Sequence, residues 1–131
     1  MQISGNLEEE KRRFAAIFDP EQNFDLQERN LVIGGRDEAL YFVTGLTKDS
    51  VLERVLETLL LARPKEMKDA QSFLECCVPH CAATLEQEEK AIVTAVLSGL
   101  TIILVEGFDA AVVMDLREYP QRTTSEPARD K

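Results

Sequence analysis

Apolar and polar positions repeat with two different periods along this chain, and each change of period marks an element. From Asn6 to Phe18 the apolar residues Leu7, Phe14, Ile17 and Phe18 share one helical face. Asn6 is placed to cap that helix, and Glu8, Glu9 and Glu10 fill its first turn. Asp19-Pro20 ends it, because a residue before proline is driven out of the helical region. A polar link, EQNFD, then leads to a strand expected over Gln27–Ile33. Gly34, Gly35 and Arg36 supply a tight turn, with Asp37 as a short polar partner for the backbone. The return run Ala39–Val43 is nearly all apolar, as expected of a strand covered on both faces.

Gly45 turns the chain, and Thr47 or Asp49 is placed to cap a helix over Ser50–Ala62. Its residues Val51, Leu52, Val55, Leu56, Leu59 and Leu60 make one apolar stripe. Pro64 opens another helix, with Met67, Ala70, Phe73 and Leu74 facing inward. Val78–Ala83 reads as a short strand, and Thr84 with Gln87 as the capping box of a helix that ends at Ser98-Gly99. A second hairpin follows: Leu100–Val105, a turn over Glu106–Asp109, and Ala110–Leu116.

The two hairpins resemble each other. With Gly35 laid on Gly107, Asp37 falls on Asp109 and Ala39 on Ala111, an offset of 72 (107 − 35). The expected fold is therefore α/β (α+β): a mixed β-sheet built from two similar β-hairpins plus a short strand, with helices packed on it. Three parts are expected: an N-terminal helix and link over 1–24, an α/β domain with two hairpin units over 25–117, and an extended polar tail over 118–131.

The 131 residues suffice for one domain with a real core, and 44% hydrophobic with 30% charged residues is an ordinary soluble balance. The start, MQISGNLEEEKRRF, carries acids where a signal peptide needs an apolar stretch. The longest apolar runs, Val55–Ala62 and Leu100–Val105, are far short of the roughly 20 residues that cross a bilayer. A net charge of −9 repels phosphate backbones and argues against nucleic acid as a partner. Lys11, Arg12 and Arg13 form a lone basic cluster directly after three acids, which reads as a solvated helix face with intrahelical pairs.

Candidate chemistry lies in two places. ECCVPHC gathers Cys76, Cys77, His80 and Cys81, but there is no second ligand-bearing segment, and Pro79 prevents a helix from collecting them on one face. Reduced thiols without metal are the expectation, and adjacent His80 and Cys81 are poorly placed as a nucleophile–base pair. The carboxylates of the turns, Asp37, Glu38, Glu106 and Asp109, read as solvated caps rather than catalytic acids. GGRD sits between two strands and cannot be a phosphate loop, which must lead into a helix N-terminus. No catalytic, cofactor-binding or metal residue is assigned.

From Asn23 to Pro127 the order of small features resembles the GerA spore-germination family, which comprises germinant-receptor A subunits and related sporulation proteins. The features are Tyr41-Phe42-Val43-Thr44-Gly45-Leu46, Val78-Pro79-His80, Ser98-Gly99-Leu100 and Val105-Glu106-Gly107, closing with Arg117, Pro120, Arg122 and Glu126-Pro127. The resemblance implies a soluble N-terminal region of two similar α/β subdomains followed by a membrane domain, of which this chain would be the first subdomain. It further implies a protein of the inner spore membrane with this domain on the cytoplasmic side. Its partners would be other subunits of a germination complex, with self-association through the membrane domain. It brings no catalytic residue and no cofactor. A non-enzymatic module of assembly, regulation or signal transmission is thus expected, with the two turns and the Arg117–Glu126 stretch as working surfaces. The alternatives are a domain that binds a small germinant-like molecule and a thiol-dependent enzyme.

Overall fold

A computed structural model describes residues 2–18, 25–77 and 82–117. Ten elements follow in order: α1 (Leu7–Ile17), β1 (Leu26–Ile33), β2 (Arg36–Val43), α2 (Asp49–Leu59), a 3-10 turn (Pro64–Met67), α3 (Ala70–Cys77), β3 (Ala82–Glu86), α4 (Glu89–Leu97), β4 (Thr101–Val105) and β5 (Ala111–Asp115). The strands form one five-stranded sheet in the order β1-β2-β4-β5-β3. Both hairpins and the short strand share that sheet, as expected. Every neighbouring pair is antiparallel, so the sheet is not mixed.

Helices cover both faces of this antiparallel sheet, which explains the apolar runs. On β2, Leu40 and Phe42 point to one side and Ala39 and Tyr41 to the other. On β4 the division is Ile103 and Val105 against Ile102 and Leu104, and on β5 it is Val112 and Met114 against Ala111 and Val113. The first side packs under Leu52, Leu56 and Leu59 of α2, Met67 of the 3-10 turn and Ala70 and Phe73 of α3. The second packs under Leu7 and Phe14 of α1, Phe18 after it, and Ile92 and Val96 of α4. α1 thus shares its core with the sheet. Phe14 and Phe18 stack at 5.8 Å, and each lies 6.0 Å from the Tyr41 ring. Arg13 crosses to Glu89 of α4 at 2.6 Å, whereas Lys11 keeps the intrahelical partner Glu8 at 3.9 Å.

Local details depart from the sequence expectations where pairing outweighs capping. Thr84 does not cap a helix; it lies in β3, opposite Val113. Five residue pairs with β5 outweigh a cap worth about 1 kcal/mol. The helix instead begins at Glu89, with Glu88 at its N-cap and no side-chain cap bond. The N-cap of α2 is Lys48, which makes no side-chain cap bond, and Asp49 stands in the first turn. α2 ends at Leu59, so Leu60 is 54% exposed rather than part of the stripe. Pro64 starts a 3-10 turn, and the true helix begins at Ala70, where Asp69 accepts the Ser72 amide at 2.8 Å. Of the strand expected over Val78–Ala83, residues 78–81 lie outside the described residues, and β3 runs on to Glu86.

Candidate functional site

Antiparallel pairing of β2 with β4 brings both hairpin tips to the same end of the sheet. In the first hairpin Ile33 pairs with Arg36, which leaves only Gly34 and Gly35 to turn the chain. Both have positive φ, 59° and 83°, the left-handed pair that a two-residue hairpin requires. Arg36 and Asp37 are therefore strand residues and not part of the turn. A Cβ on Gly34 would meet Met67 Cγ at 2.4 Å, whereas one on Gly35 would meet nothing within 4 Å.

The second turn is longer, spanning residues 106–110 between β4 and β5, and its Gly107 has φ 90°. Four outside groups hold it, the first being the Asp37 carbonyl, which accepts the Glu106 amide at 2.9 Å. Arg36 Nη1 donates to the Glu106 carbonyl at 2.8 Å while its guanidinium lies 5.4 Å from the Phe108 ring. Glu106 Oε1 accepts the Leu7 amide at 3.1 Å, at the open N-terminus of α1. The Gly107 amide donates to the Gly5 carbonyl at 2.8 Å. Ile3 extends the strap by donating to Gln87 at 3.0 Å. Asn6 caps α1 as expected, accepting the Glu9 amide at 3.1 Å.

The four turn carboxylates are dispersed. Asp37 and Glu38 are neighbours on β2 and so face opposite sides of the sheet. Asp37 is exposed beside a shallow recess of about 300 Å³ that also takes in Glu8 and Lys11 of α1. Glu106 is engaged with α1, and Asp109 borders a cleft of about 500 Å³ with Asp69, Glu86 and Glu88. Glu38 is only 1% exposed, and neither carboxyl oxygen has a hydrogen-bond partner. Burial pushes its pKa up to about 8. Glu10, missed in the sequence as part of this end, is also buried. Its Oε2 accepts the Ser4 and Gly5 amides at 2.7 Å each, and burial outweighs these bonds to raise its pKa. Burial, then the bond donated to Glu28 at 2.6 Å, raises that of Tyr41.

Cys76 is free and exposed at the end of α3, while His80 and Cys81 lie outside the described residues. Among the described residues no group of three histidine, cysteine or acidic side chains is arranged to hold a metal ion. No described helix is long and apolar enough to cross a membrane.

Residues 13–131 match the profile of the family described as Bacillus/Clostridium GerA spore germination protein. The chain belongs to the GerA family. It is 25% identical over 112 residues to stage V sporulation protein AF of Bacillus subtilis (strain 168). That match takes in 83% of the chain and 22% of the relative, so the chain spans about a fifth of the length of the relative it matches. Its fold is that of the N-terminal domain of the A subunit of the Bacillus megaterium spore germinant receptor GerK3. The two superpose with a TM-score of 0.67 at 15% identity, over 92% of this chain and all of that domain. Both relatives are sporulation or germination proteins, and neither name describes an enzyme.

Proposed function

We propose that this is a non-enzymatic N-terminal domain of a spore inner-membrane germination protein, held on the cytoplasmic side, where it serves assembly, regulation or signal transmission with other subunits of a germination complex. One observation carries the reading: a GerA-family chain, which matches about a fifth of its relative's length, has the fold of a receptor subunit's N-terminal domain. The tip end suits such a role physically. Arg36, Glu106 and the Gly107 amide fasten two turns and an N-terminal strap to one another, which engages these groups within the domain. Residues 118–131 are the expected route to the rest of the protein.

A photo-crosslinking residue at Leu61, 79% exposed beside the tip end, tests this in the full-length protein within spores. Adducts with other germination subunits in the membrane fraction are expected, together with slow germination when residues 2–117 are deleted. Normal germination without the domain, or recovery of the full-length protein from the soluble spore fraction, would refute the reading. The cleft beside β3 supports a second reading, a site for a small cationic molecule, because four carboxylates border it. A melting temperature raised by millimolar arginine or lysine, and no longer raised in Asp109→Asn, would favour it.

A further inference from the structure

Glu38 is a buried acid with no described role. It lies in β2, the second strand of the sheet, between Leu31 of β1 and Val105 of β4. Strand alternation puts it on the side of Leu40 and Phe42, under α2, the 3-10 turn and α3. Above that side the inward residues are apolar, among them Leu59, Met67 and Phe73. The charged groups of those elements stand elsewhere. Arg29 is held by Glu53 at 3.2 Å and Arg63 by Glu66 at 3.4 Å. Lys65, Lys68, Asp69 and Glu75 are exposed, as are Arg54 and Glu57. Glu106, next to Val105, is turned to Leu7.

Lys11 of α1 borders the same recess as Glu38 but is paired with Glu8 at 3.9 Å, and Arg36 is the cation on the face of Glu38 itself. Arg36 shares the face of Glu38, two residues away on the same strand, or about 7 Å along it. Its guanidinium is occupied by the Glu106 carbonyl and the Phe108 ring. A carboxylate with two unpartnered oxygens is stable in such surroundings only as the neutral acid. Once ionised it needs a donor, and a two-pronged guanidinium is the natural one.

We propose that Arg36 and Glu38 form a proton-controlled latch. With Glu38 protonated, Arg36 clamps the second turn; when Glu38 gives its proton to solvent, Arg36 swings to the carboxylate and lets the turn go. The latch couples the first hairpin to residues 106–108 and, through the Gly107–Gly5 bond, to the N-terminal strap. The sign follows from the raised folded-state pKa. The stability Glu38 lends is complete below its unfolded value near 4.5, declines as pH rises, and is gone once pH passes about 8.

Titration by NMR from pH 5 to pH 9.5 tests this on the wild type, Glu38→Gln and Arg36→Leu. In the wild type the amide resonances of Glu106, Gly107 and Phe108 should move together, tracking the Glu38 carboxyl carbon. Their midpoint should lie above the ordinary carboxylate range but no higher than the value of about 8 that burial alone sets, because Arg36 relieves part of that burial. They should stay still in Glu38→Gln. In Arg36→Leu, with nothing to receive the charge, the Glu38 midpoint should rise further. Melting temperatures should agree: wild type relative to Glu38→Gln loses several degrees between pH 5 and pH 8, then levels off. The latch is overturned if Glu38 titrates in the ordinary carboxylate range, or if it titrates while the second turn stays still. It is equally overturned if Arg36→Leu leaves the Glu38 midpoint unchanged. A wild type that unfolds outright above pH 8 while Glu38→Gln stays folded also overturns it, since Arg36 would then not be receiving the charge.

Discussion

The two hairpin turns place a glycine in nearly the same conformation, at φ 83° for Gly35 and 90° for Gly107, yet they are held in opposite ways. The first is the shortest possible and depends on its own backbone, with the 3-10 turn pressed against Gly34. The second spans five residues and is fastened from outside, by Arg36, Asp37, Leu7 and Gly5. A repeated turn glycine in the sequence therefore signals a shared backbone need, and says little about how each turn is stabilised.

Gly34→Val should separate the two turns most sharply. It combines a β-branched residue at φ 59° with a collision against Met67, so about 3–5 kcal/mol of stability should be lost. Chemical denaturation would measure this; a loss below about 1 kcal/mol would show that the first turn yields more readily than its geometry implies. Gly107→Val and Gly35→Val should each cost roughly 1–3 kcal/mol from conformation alone. Of the two, Gly107→Val should sit at the upper end, because its Cβ would displace Arg36, whereas that of Gly35 faces open space. Equal losses for the pair would mean that the Arg36 clamp adds nothing. Arg36→Ala should be the mildest change, at about 1–2 kcal/mol for one hydrogen bond and one ring contact. Hydrogen exchange should speed up at Gly107 in this variant and stay unchanged at Arg29 and Leu31, whose strand pairs with β2 by backbone bonds.

Elements with a strong period were legible in the sequence. The face of Leu7 and Phe14 and the doubly buried runs of β2, β4 and β5 could be read directly, because period and burial report the same physical fact. Strand direction was not legible: an apolar run shows that both faces are covered, and both antiparallel and mixed sheets meet that condition. Thr84 misled because its capping signal is local, while its pairing with Val113 comes from 29 residues away (113 − 84). The tip end was half legible. Gly35 and Gly107 stood out by type, but Arg36, Glu10 and Gly5 act through partners that only the assembled sheet brings near. Glu38 looked like a solvated turn acid because it follows GGRD; the two-residue turn draws it into the strand, and strand alternation buries it.

The bond between the Leu7 amide and Glu106 joins residues 99 positions apart. The first hairpin closes on contacts a few residues distant and can form early, whereas the Leu7 amide and the Gly5 carbonyl gain their partners only once the second hairpin exists. On a ribosome that delivers the chain from its N-terminus, the first residues made are thus among the last to find their place. A Phe14-bearing amphipathic helix has meanwhile only Ala39 and Tyr41 of the first hairpin to cover its apolar face, so the speed at which β4 and β5 emerge sets how long the newborn chain must be kept from its neighbours.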